Sequence, residues 1–202
     1  MVVTASGAYA EVTVVPRIAV RFPLVLPSPE RFDFACPESW PGVTGRLEYV
    51  GGRLEYMPPR GEVQQRTAAD VVTELNLWRR AHPGFVVGGN EAGMLLGGDV
   101  RAADAAVWRN EGRAGAGFAR VAPVLAVEVA GVEDTSEALL EKARWYLAHG
   151  VETVWIVLPP SRSVHVVTAA KVVEVGASGR LPQPDSLSGL TPVVSEFFRQ
   201  LT

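Results

Sequence analysis

Residues 123–130 read Pro-Val-Leu-Ala-Val-Glu-Val-Ala, an apolar run broken by a single acid. A short β-branched run of this kind, closed by Gly131, is predicted as a buried strand over Val124 to Ala130. Alternation then puts Leu125, Val127 and Val129 on one face and Val124, Ala126, Glu128 and Ala130 on the other. An ionised carboxylate in such a strand is costly unless it is paired, hydrogen-bonded or bound to a metal. The same-face neighbours of Glu128 are small and leave room beside it. A buried salt bridge with an arginine is the equally weighted alternative.

Working downstream, Asp134-Thr-Ser-Glu137 offers a capping box, and Leu139, Ala143, Tyr146 and Leu147 give the following helix an apolar stripe that Gly150 closes. Thr153 to Leu158, Val164 to Thr168 and Lys171 to Val175 read as further strands, with a short final helix around Val193 to Leu201. Upstream, three short strands are expected at Phe85 to Gly88, Gly93 to Leu96 and Asp104 to Trp108. Glu62 to Ala81 carries Ala68, Val71, Leu75 and Trp78 at helical spacing and stops at Pro83-Gly84. Before it stands Arg46-Leu-Glu-Tyr-Val, Gly51-Gly52, Arg53-Leu-Glu-Tyr-Met, a hairpin by its two-glycine turn. That register sets Glu48 opposite Glu55 on one side and Leu47 with Tyr56, Tyr49 with Leu54, on the other, the side expected to pack inward. Residues 1–45, interrupted by Pro16, Pro23, Pro27, Pro29 and Pro37, are expected as edge strands and loops wrapping a compact domain at 46–202. The element order predicts an α/β fold, a mixed sheet flanked by two main helices.

The 202 residues and 48% hydrophobic content suit one sizeable core. No apolar run approaches the roughly 20 residues that cross a bilayer, and the first thirty residues lack the pattern of a secretory leader, so a soluble, cytoplasmic protein is expected. One cysteine, Cys36, and three scattered histidines, His82, His149 and His165, disfavour a Cys/His zinc site. A net charge of −3 argues against a protein that coats nucleic acid. A local basic groove is compatible with that total.

Asp104 opens the run Asp-Ala-Ala-Val-Trp108, again among small residues; a strand-entry aspartate is the plain reading. Together with Glu128 on an adjacent strand, its oxygens could meet at one Mg²⁺, a hard cation that keeps several waters. Lys142, one turn before Tyr146, reads as a solvated helix lysine or as a positive charge beside a reacting phosphate. The facing Glu48 and Glu55 need a cation between them, with Arg46 and Arg53 as the nearest candidates. Glu62, Gln64, Gln65 and Arg66 read as a polar exposed first turn, and Arg66 and Arg101 as surface arginines with phosphate contact as the alternative.

Glu48-Tyr-Val-Gly-Gly-Arg-Leu-Glu-Tyr-Met-Pro-Pro59, the Glu62-led helix, Ala103-Asp104-Ala-Ala-Val, Val127-Glu128-Val, Lys142 with Tyr146, and Gly150-Val-Glu-Thr-Val-Trp155 follow in an order that resembles the Uma-type family of restriction-endonuclease-like proteins, within the PD-(D/E)XK nuclease superfamily. The resemblance spans Arg46 to about Thr168. It implies a restriction-endonuclease-like sheet with the hairpin as an N-terminal extension. It also implies Asp104 and Glu128 as the metal acids, with the Val129 carbonyl as a further ligand and Lys142 replacing the usual lysine, whose place Ala130 takes. Glu48, Glu55, Glu62, Glu91 and Tyr146 are its accessory candidates. Mg²⁺ or Mn²⁺ is the implied cofactor, DNA the implied substrate, phosphodiester hydrolysis the implied reaction, and a homodimer the implied assembly. The chain departs from the family pattern at Ala103, at Val63 and at Gly131-Val132, where a proline, a histidine and a Ser-Pro pair are usual. Those departures sustain an alternative, a nuclease fold without catalysis that serves as a binding or accessory module.

Overall fold

The computed structural model describes residues 22–111 and 117–201, apart from the side chains of Asn90 and Glu91. The described strands are β1 (Leu24–Leu26), β2 (Arg46–Val50), β3 (Arg53–Met57), β4 (Phe85–Leu96), β5 (Asp99–Arg109), β6 (Leu125–Val129), β7 (Thr153–Leu158), β8 (Ser163–Val167) and β9 (Val172–Gly176). Two helices accompany them, α1 (Glu62–Arg79) and α2 (Ser136–Ala148), with 3₁₀ turns at Pro37–Ser39 and Val194–Phe198. All the strands join one sheet in the order β1-β3-β2-β5-β6-β7-β8-β9, with β4 on the remaining edge of β5. Among the described strand pairs β6 and β7 alone run parallel, because α2 carries the chain back between them.

The central strands of the sheet are buried on both faces. Val71 and Leu75 of α1 pack with Leu125, Val127, Val129, Trp155 and the C-terminal Phe197 on one side. Leu139, Ala143 and Tyr146 of α2 pack with Ala106, Ala126 and Ile156 on the other. This explains why every residue of β6 is buried and why it reads as a continuous apolar run.

The hairpin register is the expected one, Glu48 opposite Glu55 and Leu47 opposite Tyr56. Its polarity is not. Glu48 is buried while Leu47 and Tyr49 are only half-buried, because the acidic face of β2 turns toward the interior and Tyr49 stacks on Phe34 outside it. The three short strands expected between Phe85 and Trp108 are instead two long ones. Gly97 and Gly98, with φ of 60° and 90°, form a two-residue turn that pairs Leu96 with Asp99 and makes β4 and β5 a hairpin. The α2 cap is Thr135, whose hydroxyl accepts from the Ala138 N–H at 3.2 Å. Asp134, expected to begin a capping box, accepts from the Gly131 N–H instead. The expected final helix is the 3₁₀ turn at Val194–Phe198.

Candidate active site

The site lies where the sheet forks. One edge of β5 pairs with β4 along its length. The other edge is shared: Val100 pairs with Tyr49 of β2, and Ala105 to Val107 pair with Val127 to Leu125 of β6. Arg101 to Asp104 lie between these two partners. Continuing the β5 and β6 register by one step sets Asp104 beside Glu128, at the point where the ladder ends.

A bulge in β4 aims Asp104. The β4 and β5 register shifts between Gly89 and Ala92, opposite Ala103 to Ala105. Residues two apart on a regular strand share a face, yet Ala103 packs into the core on the α2 side and Ala105 into the core on the α1 side. The strand therefore rotates about Asp104, the local twist that bulges produce. Its carboxylate accepts the Val129 N–H at 2.7 Å through Oδ2 and pairs with the Arg60 guanidinium through Oδ1.

Across the fork, Lys142 and Tyr146 stand one helical turn apart on α2 and reach the same acid. The Tyr146 hydroxyl donates to Glu128 Oε1 at 2.7 Å, and Lys142 Nζ lies 3.0 Å from that oxygen. Lys142 also donates to Glu48 Oε1 at 2.8 Å and to the Ala102 carbonyl at 3.1 Å. Three carboxylates are thus nearly sealed from solvent, Glu48 at 4% exposure and Asp104 and Glu128 at 3% each.

Burial, reinforced by the nearby Glu128 charge, pushes the Asp104 carboxyl up to about 7, and Arg60 only partly offsets it. Burial acts the same way on Glu48, but the Lys142 ammonium, helped by Arg101 and Arg46, wins and holds that carboxyl below its ordinary range. Burial would lower Lys142; Glu128 and Glu48 outweigh it and raise the ammonium above its ordinary value. Burial and the Glu128 charge keep Tyr146 firmly protonated, and so a donor.

Of the residues expected here, Asp104, Glu128, Lys142, Tyr146 and Glu48 converge. Glu55 faces Glu48 at the groove and has Arg53 at 3.4 Å, while partial burial raises its carboxyl. Glu62 does not join them. Its side chain is 75% exposed and pairs with Arg66 on the solvent side of α1. The Glu91 side chain lies outside the described residues. Arg60, which was not singled out from sequence, and Gln64 complete the site. Gln64, expected in an exposed turn, is buried and donates from Nε2 to the Val129 carbonyl at 2.6 Å. Gly131 keeps the space open, since a Cβ there would stand 3.0 Å from the Gln64 oxygen. The signal for both was position: they flank the start of α1, which points at β6.

Tyr146→Phe is expected to cost about 1–2 kcal/mol, measured by urea unfolding, because a buried charge-assisted hydrogen bond is lost while the ring still packs. A change below about 0.5 kcal/mol would contradict the role given to the hydroxyl.

Asp104 and Glu128 suit a small hard cation. Their oxygens are hard donors, and a divalent ion would offset both the burial that chiefly raises the Asp104 carboxyl and the Glu128 charge that adds to it. Among the described residues no three Asp, Glu, His or Cys side chains gather as a metal cage. The donors would therefore be two carboxylates, the Val129 carbonyl and water, a set that Mg²⁺ accepts. No described helix is long and apolar enough to cross a membrane.

A solved structure from Anabaena variabilis ATCC 29413, described as "a putative nuclease belonging to DUF820", is similar to this chain with a TM-score of 0.72 and 17% identity, covering 82% of this chain and 96% of that one. At that identity the likeness speaks for the fold, a restriction-endonuclease-like sheet. No curated protein matches the chain. The Uma2 family, described as "Putative restriction endonuclease", matches residues 37–197, a span that holds the whole fork and all the groups meeting in it, and the chain belongs to that family.

Proposed function

We propose that the protein is a divalent-metal-dependent nuclease that hydrolyses DNA phosphodiester bonds, with Asp104, Glu128 and the Val129 carbonyl as ligands and Lys142 as the cation beside the reacting phosphate. The observation that supports this most is the convergence of Asp104, Glu128 and Lys142, from β5, β6 and α2, on one nearly sealed point. A bound Mg²⁺ or Mn²⁺ supplies an acidified water and neutralises phosphate charge. The chain's own groups hold the geometry. The Tyr146 hydroxyl holds the Glu128 carboxylate, and the Val129 N–H holds Asp104. Glu48 and the Ala102 carbonyl hold the Lys142 ammonium against Glu128, so its charge is in place before substrate arrives.

Incubation of the purified protein with supercoiled and linear DNA plus Mg²⁺ or Mn²⁺ tests the proposal. Cleavage is expected, reduced roughly 10³-fold or more in Glu128→Ala. Activity that persists undiminished in that variant sinks the assignment. A second reading, a nuclease fold that binds without cutting, draws on Arg60 and Gln64, which engage Asp104 and the Val129 carbonyl. Calorimetry that finds neither Mg²⁺ nor Mn²⁺ binding to the folded protein would favour that reading.

A further inference from the structure

Glu48 and Glu128 line a groove whose sheet side, the arginine wall, carries Arg46, Arg53 and Arg101 interleaved with Glu48, Glu55 and Glu128. Arg60, from the segment before α1, and Lys142 of α2 bring two further cations to it. The net charge of −3 conceals this concentration. The α2 side carries Glu133, Asp134 and Glu141 and no arginine, so the groove's guanidinium groups lie on the sheet side and before α1. A polyanion lying in it would be repelled by the α2 side and would find its guanidinium partners across the groove.

Two of these arginines differ from the rest in what holds them. Arg60 is engaged with Asp104. Arg101 lies over the Trp145 ring, 4.8 Å from its centroid, and its buried Nε has no hydrogen-bond partner among the described residues. The contact with the ring restrains the guanidinium, so less freedom remains to be lost when it takes up a ligand. A guanidinium offers a fork of N–H donors that matches two phosphate oxygens. Trp145 is itself held: its Nε1 donates to Asp99 at 3.0 Å, and Asp99 accepts the Gly51 N–H at 2.9 Å. The stacked pair is thereby tied to the turn between β2 and β3. Arg53, at 61% side-chain exposure and 3.4 Å from Glu55, opens to the same wall.

We propose that Arg101, seated on Trp145, and Arg53 form a phosphate subsite that binds the DNA backbone beside the scissile position. Arg101 stands three residues along β5 from Asp104, about 10 Å at the rise of a strand, which suits a neighbouring phosphate rather than the reacting one. The identity of the ligand rests on the nuclease reading; the subsite itself rests on the arginine wall.

The test is fluorescence anisotropy with a labelled DNA duplex, with Ca²⁺ in place of Mg²⁺, over a series of KCl concentrations. Arg101→Ala and Arg53→Ala are each expected to weaken binding about 5- to 10-fold and to lower the salt slope by about one. Mn²⁺ affinity, measured by calorimetry, is expected not to fall below the wild-type value, since removing a nearby positive charge does not disfavour a cation. Arg101→Lys, which keeps the charge without the planar fork, is expected to recover the slope but not the full affinity. Arg180→Ala, outside the groove, serves as the neutral control. Wild-type affinity and slope in both Arg101→Ala and Arg53→Ala would overturn the subsite, as would a wild-type protein that binds no duplex. A wild type that cleaves DNA while both variants cleave and bind normally removes this inference alone. A wild type that binds through these arginines without cleaving removes the nuclease reading alone.

Discussion

Lys142→Met is expected to destabilise the protein by about 3–5 kcal/mol at pH 8 and to abolish cleavage. The side chain volume is nearly kept, so the loss is electrostatic. Glu48 and Glu128 would share a sealed space without the ammonium that now lies 2.8 Å from one and 3.0 Å from the other. The pH dependence follows from the two shifted groups. Glu48 is held below its ordinary value by Lys142, against burial, so its share of stability is present above about pH 4.5 and lost as pH falls through its folded value. Lys142 is raised by Glu128 and Glu48, again against burial, so its share is intact below about pH 10.5 and lost only as pH rises beyond that. The wild-type pair therefore supports the fold across the neutral range. In the variant the penalty shrinks toward acid pH, where Glu48 takes a proton instead. Urea unfolding of both proteins at pH 5 and pH 8 measures this, and a difference under about 1 kcal/mol at pH 8 would mean that Lys142 is solvated rather than embedded.

Divalent-metal affinity is expected to fall about ten-fold for each unit of pH below 7, so roughly 100-fold between pH 7 and pH 5. In the proposed site metal binding would need the Asp104 carboxylate, and burial together with Glu128 pushes that carboxyl up to about 7. Below that pH the metal must displace a proton. The same shift has the opposite sign for stability. The folded chain holds a proton that the unfolded chain has released, so this group costs stability progressively as pH rises from about 4 to 7, and a bound metal restores it. Calorimetry with Mn²⁺ at pH 5, 6, 7 and 8, repeated in buffers of different ionisation enthalpy, reads both affinity and proton release. An affinity independent of pH without proton release would show that Asp104 is ionised from the start or is not a ligand.

The parts of the site that could be read from residues alone were those where a local pattern is violated. Glu128 stands out because a carboxylate interrupts a β-branched buried run, and Glu48 because its hairpin register places it against another acid. Asp104 was legible only as a partner for Glu128. Lys142 had no local signal: its position on α2 would suit a solvated lysine, and the family resemblance supplied its role. Gln64 and Arg60 gave no signal beyond their place near the start of α1. Both act on groups more than 40 residues away, through contacts that no periodicity encodes. The length of β4 and β5 was missed because glycines at Gly88 and Gly93 looked like boundaries, whereas Gly88 fits beside Trp108, the adjacent Gly89 beside Val72, and Gly93 pairs with Ala102 within the ladder.

Local chemistry was enough to specify the hairpin at Gly51-Gly52, the two amphipathic helices, the buried central strands and the α/β class, because turn residues and hydrophobic period act over a few residues. Tertiary structure alone decided which face of β2 turns inward, how the β4 bulge rotates Asp104, and that Lys142 lies between Glu48 and Glu128. These depend on where β5 parts from β2 and joins β6. That fork arises from packing between distant strands, and burial there converts ordinary acids and a lysine into a coupled set of charges.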